Sequence, residues 1–180
     1  MTLNSRALQS LTALILLFAE ATVAEQDPET TLIPFEINDQ FDRPHTEKDF
    51  QDRSVLVLCG DRKGSQFQGQ WMSALRDSLR SFGFSDSIAL VEAADLRGVP
   101  FFVKGSVKRK FPKQDAAWVL LDWKGQLAKS YGFQKDKCNI VLFDHSGMLT
   151  YKTAVEELSM PVLEEILDHV AAAARTTASR

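Results

Sequence analysis

Short apolar runs alternate with segments of helical periodicity along most of the chain. Residues 55–58, 117–121 and 140–143 are uninterrupted apolar runs, and residues 87–91 form a fourth run that starts from a serine. Polar or turn residues bound each run. Near-continuous apolar runs of this length are typical of strands that are buried on both faces of a sheet. The pattern therefore predicts a sheet whose central strands are covered on both sides.

The segment that follows the first run predicts a helix. Its apolar residues recur at steps of four or three, at Phe67, Trp71, Leu75, Leu79 and Phe82. These positions form one helical face directed at the sheet. Ser65 stands three residues before Gln68, which is the spacing of a capping box. The helix is therefore predicted to begin at Ser65, and Gly83 is predicted to end it.

A short strand precedes this unit, and a hairpin followed by a helix closes the chain. Residues 32–37 predict a strand, and Pro34 suits the edge of a sheet. Residues 144–147 (DHSG) predict the turn of a hairpin. Ser159 is a predicted N-cap of the last helix. That helix carries an apolar stripe at Leu163, Ile166, Leu167 and Val170.

Two shorter helices complete the predicted order of elements, around residues 101–107 and 127–132. Strands therefore alternate with helices until the closing hairpin. This order predicts an α/β fold, a three-layer α/β/α sandwich with a mixed central sheet. We expect parallel strands at the centre of the sheet and an antiparallel pair at its end.

The first 24 residues have the organisation of a secretory signal peptide. Arg6 supplies a positive charge, residues 11–19 are apolar, and small residues offer cleavage sites at Ala21 and Ala24. The apolar run is shorter than the roughly 20 residues that span a bilayer. We therefore predict export and cleavage rather than an uncleaved anchor.

The remaining chain is long enough for one domain with its own core. Residues 25–31 are polar and predict a linker, residues 32–174 the domain, and residues 175–180 a polar tail. The formal net charge is −3. This mild acidity argues against general nucleic-acid binding. We expect no membrane contact after the leader is removed.

One stretch has the opposite charge from the rest of the chain. Within residues 95–113, basic side chains crowd the second half of the stretch, at Lys104, Lys108, Arg109, Lys110 and Lys113. A basic cluster can bind an anionic partner. The alternative is a solvated helix face beside acidic neighbours.

Cysteine and histidine usage limits the chemistry that the chain can perform. Cys59 and Cys138 are the two cysteines, and an exported compartment permits a disulfide between them. His45, His145 and His169 lie far apart in sequence and show no metal-ligand spacing. We therefore predict no metal site and no cofactor.

Three motifs resemble the thioredoxin-like superfamily in its redoxin and peroxiredoxin branch. Residues 34–40 (PFEINDQ) resemble the first strand and turn, residues 122–132 (DWKGQLAKSYG) the Asp/Gly turn and Tyr-Gly helix end, and residues 143–147 the last hairpin. Their order and spacing are most similar to the YtfJ family, small exported redoxin-like proteins of Gram-negative bacteria with no assigned reaction. The resemblance implies a thioredoxin-like fold and a periplasmic location.

The chain departs from the superfamily at the residues that carry its chemistry. A thioredoxin has Cys-x-x-Cys at a helix N-terminus, where the thiol pKa is lowered, and a peroxiredoxin has one such cysteine. The matching positions here run from Lys63 to Phe67 and contain no cysteine. The family's cis-proline position matches Cys138.

The resemblance leaves two functional hypotheses open. In the first, the protein binds or assists a periplasmic protein, or binds a small anionic ligand, without catalysing a reaction. The absence of a placed nucleophile favours it. The ligand would contact the loop at residues 60–68, through Asp61, Arg62, Lys63, Ser65 and Gln68.

The second hypothesis is an atypical thiol-disulfide redox protein, either oxidoreductase or peroxiredoxin-like. In the implied fold, Cys59 and Cys138 lie on neighbouring antiparallel strands, so they could form a reversible cross-strand disulfide. Neither cysteine is at a helix N-terminus, so neither has an obvious source of activation.

Overall fold

The computed structural model describes residues 30–177, and side chains as far as Arg175. The predicted signal peptide lies outside the described residues, as do most of the linker and the last residues of the tail. The strands are β1 (Glu36–Asn38), β2 (Pro44–Thr46), β3 (Ser54–Gly60), β4 (Ile88–Asp95), β5 (Leu120–Asp122), β6 (Cys138–Phe143) and β7 (Leu149–Val155). The α-helices are α1 (Ser65–Ser81), α2 (Lys104–Lys108), α3 (Gln126–Ser130) and α4 (Met160–Thr177). Single 3-10 turns span Glu47–Phe50 and Phe101–Val103.

Five strands form one mixed sheet in the order β5-β4-β3-β6-β7. Strand β3 lies at its centre, parallel to β4 and antiparallel to β6. Strand β7 pairs antiparallel with β6 through the predicted 144–147 turn. The mixed sheet, with its parallel centre and antiparallel closing pair, is confirmed.

Helices α1 and α4 cover one face of the sheet. Trp71 and Leu75 of α1 are fully buried against this face, as are Ile166 and Val170 of α4. Alternate residues of β3 and β6 supply the opposing surface. The apolar stripes predicted for the two helices therefore form this half of the core.

The predicted helical face of α1 is wrong at its last position. Helix α1 ends at Ser81, and Phe82 follows it with 62% of its surface exposed. Gly83 has a φ of 73°, and this left-handed conformation turns the chain away from the helix. Phe82 therefore lies outside the core.

The second face of the sheet is covered by α3, the first 3-10 turn and the small hairpin of β1 and β2. Ile37 of β1, Phe50 of the 3-10 turn and Leu127 of α3 are buried there. The Tyr131 hydroxyl accepts from the amide of Ile33 at 2.8 Å and donates to the Thr31 carbonyl. Tyr131 thereby fixes the N-terminal segment to this face.

Two predicted strands are shorter than the sequence pattern indicates. The predicted 32–37 strand is regular only over Glu36–Asn38, and the predicted 117–121 strand only over Leu120–Asp122. Trp118 stacks on the His45 ring of β2, with 4.4 Å between the ring centroids. The apolar run before β5 therefore packs on the hairpin instead of extending the sheet.

None of the helices within residues 30–177 is both long enough and apolar enough to cross a membrane.

Candidate functional site

The turn between β3 and α1 occupies the place where open α/β sheets bind ligands. Strand β3 ends at Gly60, and α1 begins at Ser65 beyond the carboxyl end of the parallel strands. Ligands in such sheets tend to lie at this end, near the following helix N-terminus. The turn that the sequence predicts as a ligand site therefore lies at this end of the sheet, and its use by a ligand stays a prediction.

Asp61 holds this turn in place. Its carboxylate accepts hydrogen bonds from the amides of Gly64 at 2.9 Å, Lys63 at 3.0 Å and Asp136 at 2.9 Å. Burial alone would raise the pKa of this carboxyl, but the three amide donors outweigh burial, and the pKa lies below its ordinary value. Asp61 is therefore a structural acceptor that links the turn to the segment before β6.

The first amides of α1 are already hydrogen bonded within the chain. The Ser65 amide donates to the Asp61 carbonyl at 2.8 Å, that of Gln66 to Lys63 at 3.2 Å, and that of Phe67 to Gly64 at 3.1 Å. These donors are the ones that an anion at a helix N-terminus would use. An anion bound here would therefore have to compete with the turn itself.

The predicted capping box is wrong. Ser65 is inside the first turn of α1, and its hydroxyl donates to the Arg62 carbonyl at 3.1 Å. Gln68 is buried, and its Nε2 donates to the carbonyls of Leu58 and Ala93 at 3.2 and 2.9 Å. Gln68 thus joins α1 to β3 and β4, so it is not available to a ligand.

Gly64 is in contact with the backbone of Lys137. A Cβ atom at position 64 would lie 2.0 Å from the Lys137 carbonyl oxygen and 2.5 Å from its carbonyl carbon. Position 64 is one of those at which the superfamily resemblance would place thiol chemistry. No side chain fits there unless the backbone before β6 moves.

The two cysteines are free thiols on opposite faces of the sheet. The register of β3 and β6 pairs Cys59 with Asn139 and Gly60 with Cys138. Because side chains alternate between faces, this offset of one residue separates the thiols. Cys59 packs under the β1–β2 hairpin, and Cys138 packs under α1 and α4. The cross-strand disulfide of the second hypothesis is not formed.

The environment of each thiol disfavours the reactive thiolate. Burial raises the pKa of Cys59 well above its ordinary value, and the nearby charges of Asp95 and Asp122 add to the effect. Burial raises the pKa of Cys138 to about 12, with a further contribution from Glu92. A catalytic thiol needs the opposite shift, produced by a helix N-terminus or a neighbouring cation.

A cleft beside the N-terminus of α1 was not anticipated from the sequence. It encloses about 560 Å³ and is lined by Leu96, Val99, Val107, Phe111, Arg62, Ser65 and Lys110. Its walls are mainly apolar, and its two cations come from segments far apart in sequence. Of the predicted loop residues, the cleft includes Arg62 and Ser65. Lys63 instead forms an exposed ion pair with Asp136 at 3.2 Å.

No group of three or more His, Cys, Asp or Glu side chains is arranged to hold a metal ion in the part of the chain that the structure describes. The three histidines are instead involved in local packing and turns. His45 stacks on Trp118, His169 packs against Tyr151, and His145 lies in the β6–β7 turn.

No family model and no curated protein matches the chain. Solved structures do match it. The exposed lipoprotein thioredoxin of Streptococcus pneumoniae is 15% identical, with a TM-score of 0.55 over 76% of this chain and 98% of that one. A thiol:disulfide interchange protein DsbE from Chlorobium tepidum is 14% identical, with a TM-score of 0.56 over 80% of this chain and 98% of that one.

A secreted disulfide oxidoreductase of Mycobacterium tuberculosis is similar to the same degree. It is 16% identical, with a TM-score of 0.51 over 77% of this chain and 95% of that one. These similarities extend over nearly the whole of each neighbour, and at such low identity they concern the fold. The chain therefore has the thioredoxin-like fold.

Proposed function

We propose that this protein is a non-enzymatic binding or accessory protein that uses the thioredoxin-like fold without thiol chemistry. One observation carries the proposal: both thiols of the chain are buried, with raised pKa values, on opposite faces of the sheet. A thiol-disulfide exchange site needs an accessible thiolate and a partner thiol within bonding distance. Cys59 and Cys138 meet neither requirement.

The cleft beside α1 is the proposed binding site. Leu96, Val99 and Phe111 provide apolar surface, and Arg62 and Lys110 provide positive charge. A ligand that matches this lining has apolar groups beside a carboxylate or another anion. We therefore propose an extended peptide segment with both acidic and apolar side chains as the ligand class.

We further propose that the protein belongs to the YtfJ-like branch and acts in the periplasm. The order of the 34–40, 122–132 and 143–147 motifs and the leader-like residues 1–24 support this assignment. Two of the structural neighbours are described as a lipoprotein and a secreted protein, which fits a location outside the cytoplasm.

Peptide binding and thiol chemistry can be separated in one experiment. An array of peptides that combine acidic and apolar residues is screened by fluorescence anisotropy, first on the protein and then on variants. Arg62→Glu plus Lys110→Glu is expected to weaken binding at least about tenfold, because both cations line the cleft. Lys48→Glu plus Lys135→Glu makes the same charge change at exposed sites outside the cleft and serves as the control.

The thiols provide the second half of the test. Cys59→Ala plus Cys138→Ala is expected to leave peptide binding unchanged. If no peptide binds, or if binding is unaffected by the Arg62 and Lys110 changes, the cleft is not the site. If binding requires the cysteines, the proposal of a function without thiol chemistry is wrong.

The neighbours' described activities support a second candidate, a thiol-disulfide redox protein. It predicts dithiol-dependent reduction of insulin that disappears in the double cysteine variant. Our proposal predicts no such activity, and it predicts that Cys59 and Cys138 react with an alkylating agent only after unfolding. Rapid alkylation of the folded protein would favour the redox candidate.

A further inference from the structure

Two adjacent phenylalanines project from the surface between β4 and β5. Phe101 and Phe102 are 82% and 75% exposed, the largest exposed fractions among the described large apolar side chains. Their rings contact each other edge to face, with 5.9 Å between the centroids. Adjacent exposed apolar side chains that form a patch on a protein surface can mark an interaction site.

The chain segment that carries these two rings also carries concentrated positive charge. Residues 99–113, which we call the basic aromatic segment, contain five cationic side chains and no acidic one, in a chain whose net charge is −3. Two of the cations are engaged within the protein: Lys108 pairs with Asp42 at 2.5 Å, and Lys104 lies over the Trp123 ring at 4.8 Å.

The other three cations are available to an external anion. The Arg109 guanidinium donates to the neutral Ser106 hydroxyl at 2.9 Å. Lys110 and Lys113 are exposed, and within residues 30–177 neither they nor Arg109 form an ion pair with an acidic side chain. The segment therefore presents apolar rings and unneutralised cations together.

We propose that the basic aromatic segment docks this protein on an anionic phospholipid surface. Phe101 and Phe102 enter the boundary between headgroups and acyl chains, and Arg109, Lys110 and Lys113 contact lipid phosphates. Apolar insertion and electrostatic attraction to anionic headgroups act together in peripheral membrane binding. A peptide bound in the cleft would leave both rings in water, because neither Phe101 nor Phe102 lines the cleft.

This inference departs from the sequence-based expectation that the processed chain makes no membrane contact. The basic aromatic segment and the proposed peptide cleft share Val99, Val107, Lys110 and Phe111, but the two exposed rings that carry this inference do not line the cleft. Attachment through the segment would be peripheral and reversible, because one apolar pair and three cations provide limited affinity. Binding is also expected to weaken as salt screens the charges.

Vesicle co-sedimentation tests the proposal directly. The chain from residue 25 onwards contains every described element and lacks the leader, whose apolar run would itself bind lipid. It is mixed with vesicles of equal parts phosphatidylglycerol and phosphatidylcholine, or of phosphatidylcholine alone. We expect binding to the anionic vesicles only, and loss of that binding at high salt.

Two variants separate the apolar contribution from the electrostatic one. Phe101→Ala plus Phe102→Ala is expected to weaken binding at least about tenfold. Arg109→Gln, Lys110→Gln and Lys113→Gln together are expected to weaken it roughly a hundredfold, since each surface cation contributes roughly fivefold. All five side chains are exposed, and a circular dichroism spectrum verifies that the variants fold.

The matched control removes three exposed cations from other surfaces, through Lys48→Gln, Lys129→Gln and Lys135→Gln. It changes the net charge equally and is expected to retain most of the binding. The proposal is overturned if the protein does not bind the anionic vesicles, or if the control weakens binding as much as the segment variants. It is also overturned if the phenylalanine variant instead abolishes a dimer, or the capture of an acidic peptide, while lipid binding is unchanged.

Discussion

Residues 60–68 and residues 99–113 flank the same cleft, and they differ in how their polar groups are used. In the first region, Asp61 and Gln68 direct their hydrogen bonds into the protein, and the first amides of α1 are occupied. In the second, Phe101 and Phe102 are exposed, and three cations have no acidic partner among the described residues. The turn that the resemblance associates with thiol chemistry is hydrogen bonded within the protein here, and the neighbouring region has exposed rings and cations without an acidic partner among the described residues.

The difference shows that position in a fold does not by itself identify a working site. A functional site requires groups whose bonding capacity is not consumed by the protein. By that criterion, the β3–α1 turn contributes to stability. The basic aromatic segment contributes little to stability, and three of its cations have no acidic partner among the described residues.

The largest expected effect is at Gly64. Gly64→Ala should lower the free energy of unfolding by about 3 kcal/mol, because its Cβ would lie 2.0 Å from the Lys137 carbonyl oxygen. The φ of Gly64 is −59°, so the clash and not backbone strain causes the loss. Urea unfolding followed by tryptophan fluorescence measures it.

Gly69→Ala is the matched control for Gly64→Ala. A Cβ at position 69 would meet nothing within 4 Å, and the residue lies inside α1. Alanine should therefore stabilise the protein by about 0.5 kcal/mol or more, through helix propensity. Equal effects at the two glycines would show that the turn is not tightly packed against Lys137.

A smaller loss is expected at Asp61. Asp61→Asn removes the charge and one acceptor from a carboxylate that receives three amide hydrogen bonds, and should cost about 2 kcal/mol. Asp136→Asn removes only the exposed ion pair with Lys63 and should cost under about 0.5 kcal/mol. Similar losses would mean that the Asp61 hydrogen bonds do not hold the turn.

The Asp61 contribution should also depend on pH. Its pKa is lower in the folded protein than its ordinary value of 3.8, so the carboxylate stabilises the fold above that value. The stabilisation is lost as the pH falls through the folded pKa. The difference in unfolding free energy between the protein and Asp61→Asn should therefore shrink on acidification. Urea titrations at neutral pH and below about pH 3 would test this, and a constant difference would contradict it.

The smallest effect on stability is expected in the basic aromatic segment. Phe101→Ala plus Phe102→Ala should change the unfolding free energy by less than about 0.5 kcal/mol, because both rings are largely exposed. Phe143→Ala, which empties a fully buried site, should cost about 3 kcal/mol or more. Thermal unfolding of both variants makes the comparison, and a large loss at the exposed pair would show that it packs against the fold.

The sequence pattern was sufficient for elements that depend on continuous apolar burial. The runs at 55–58 and 140–143 become central strands, and the periodic residues from Trp71 to Leu79 become the buried face of α1. These elements are predictable because the burial of a strand or of a helix face determines the local spacing of apolar residues.

The β3–α1 turn was harder to predict because several residues there are suited to more than one role. Ser65 and Asp61 are both residue types that can cap a helix. Ser65 instead lies within α1, and Asp61 accepts hydrogen bonds from the turn and from the amide of the distant Asp136. Gln68 fits a capping box by spacing, yet its side chain is buried and donates to the carbonyls of Leu58 in β3 and Ala93 in β4. Those partners come from tertiary structure, which local spacing does not encode.

The relation between the cysteines was missed for a different reason. Adjacency of β3 and β6 was sufficient to place Cys59 and Cys138 near each other, but the face on which each lies depends on register. A shift of one residue reverses the face of every side chain in a strand. The register is determined by the whole apolar pattern of both strands and not by the cysteines.

The opposite placement of the two thiols has a consequence for folding under oxidising conditions. Before β3 and β6 pair, Cys59 and Cys138 are exposed together, and an oxidant can join them. The resulting cross-link would hold together two side chains that the native register sends to different layers of the core. Oxidation before β3 and β6 pair would therefore trap a non-native chain, whereas pairing of the two strands first would leave both thiols buried and separate.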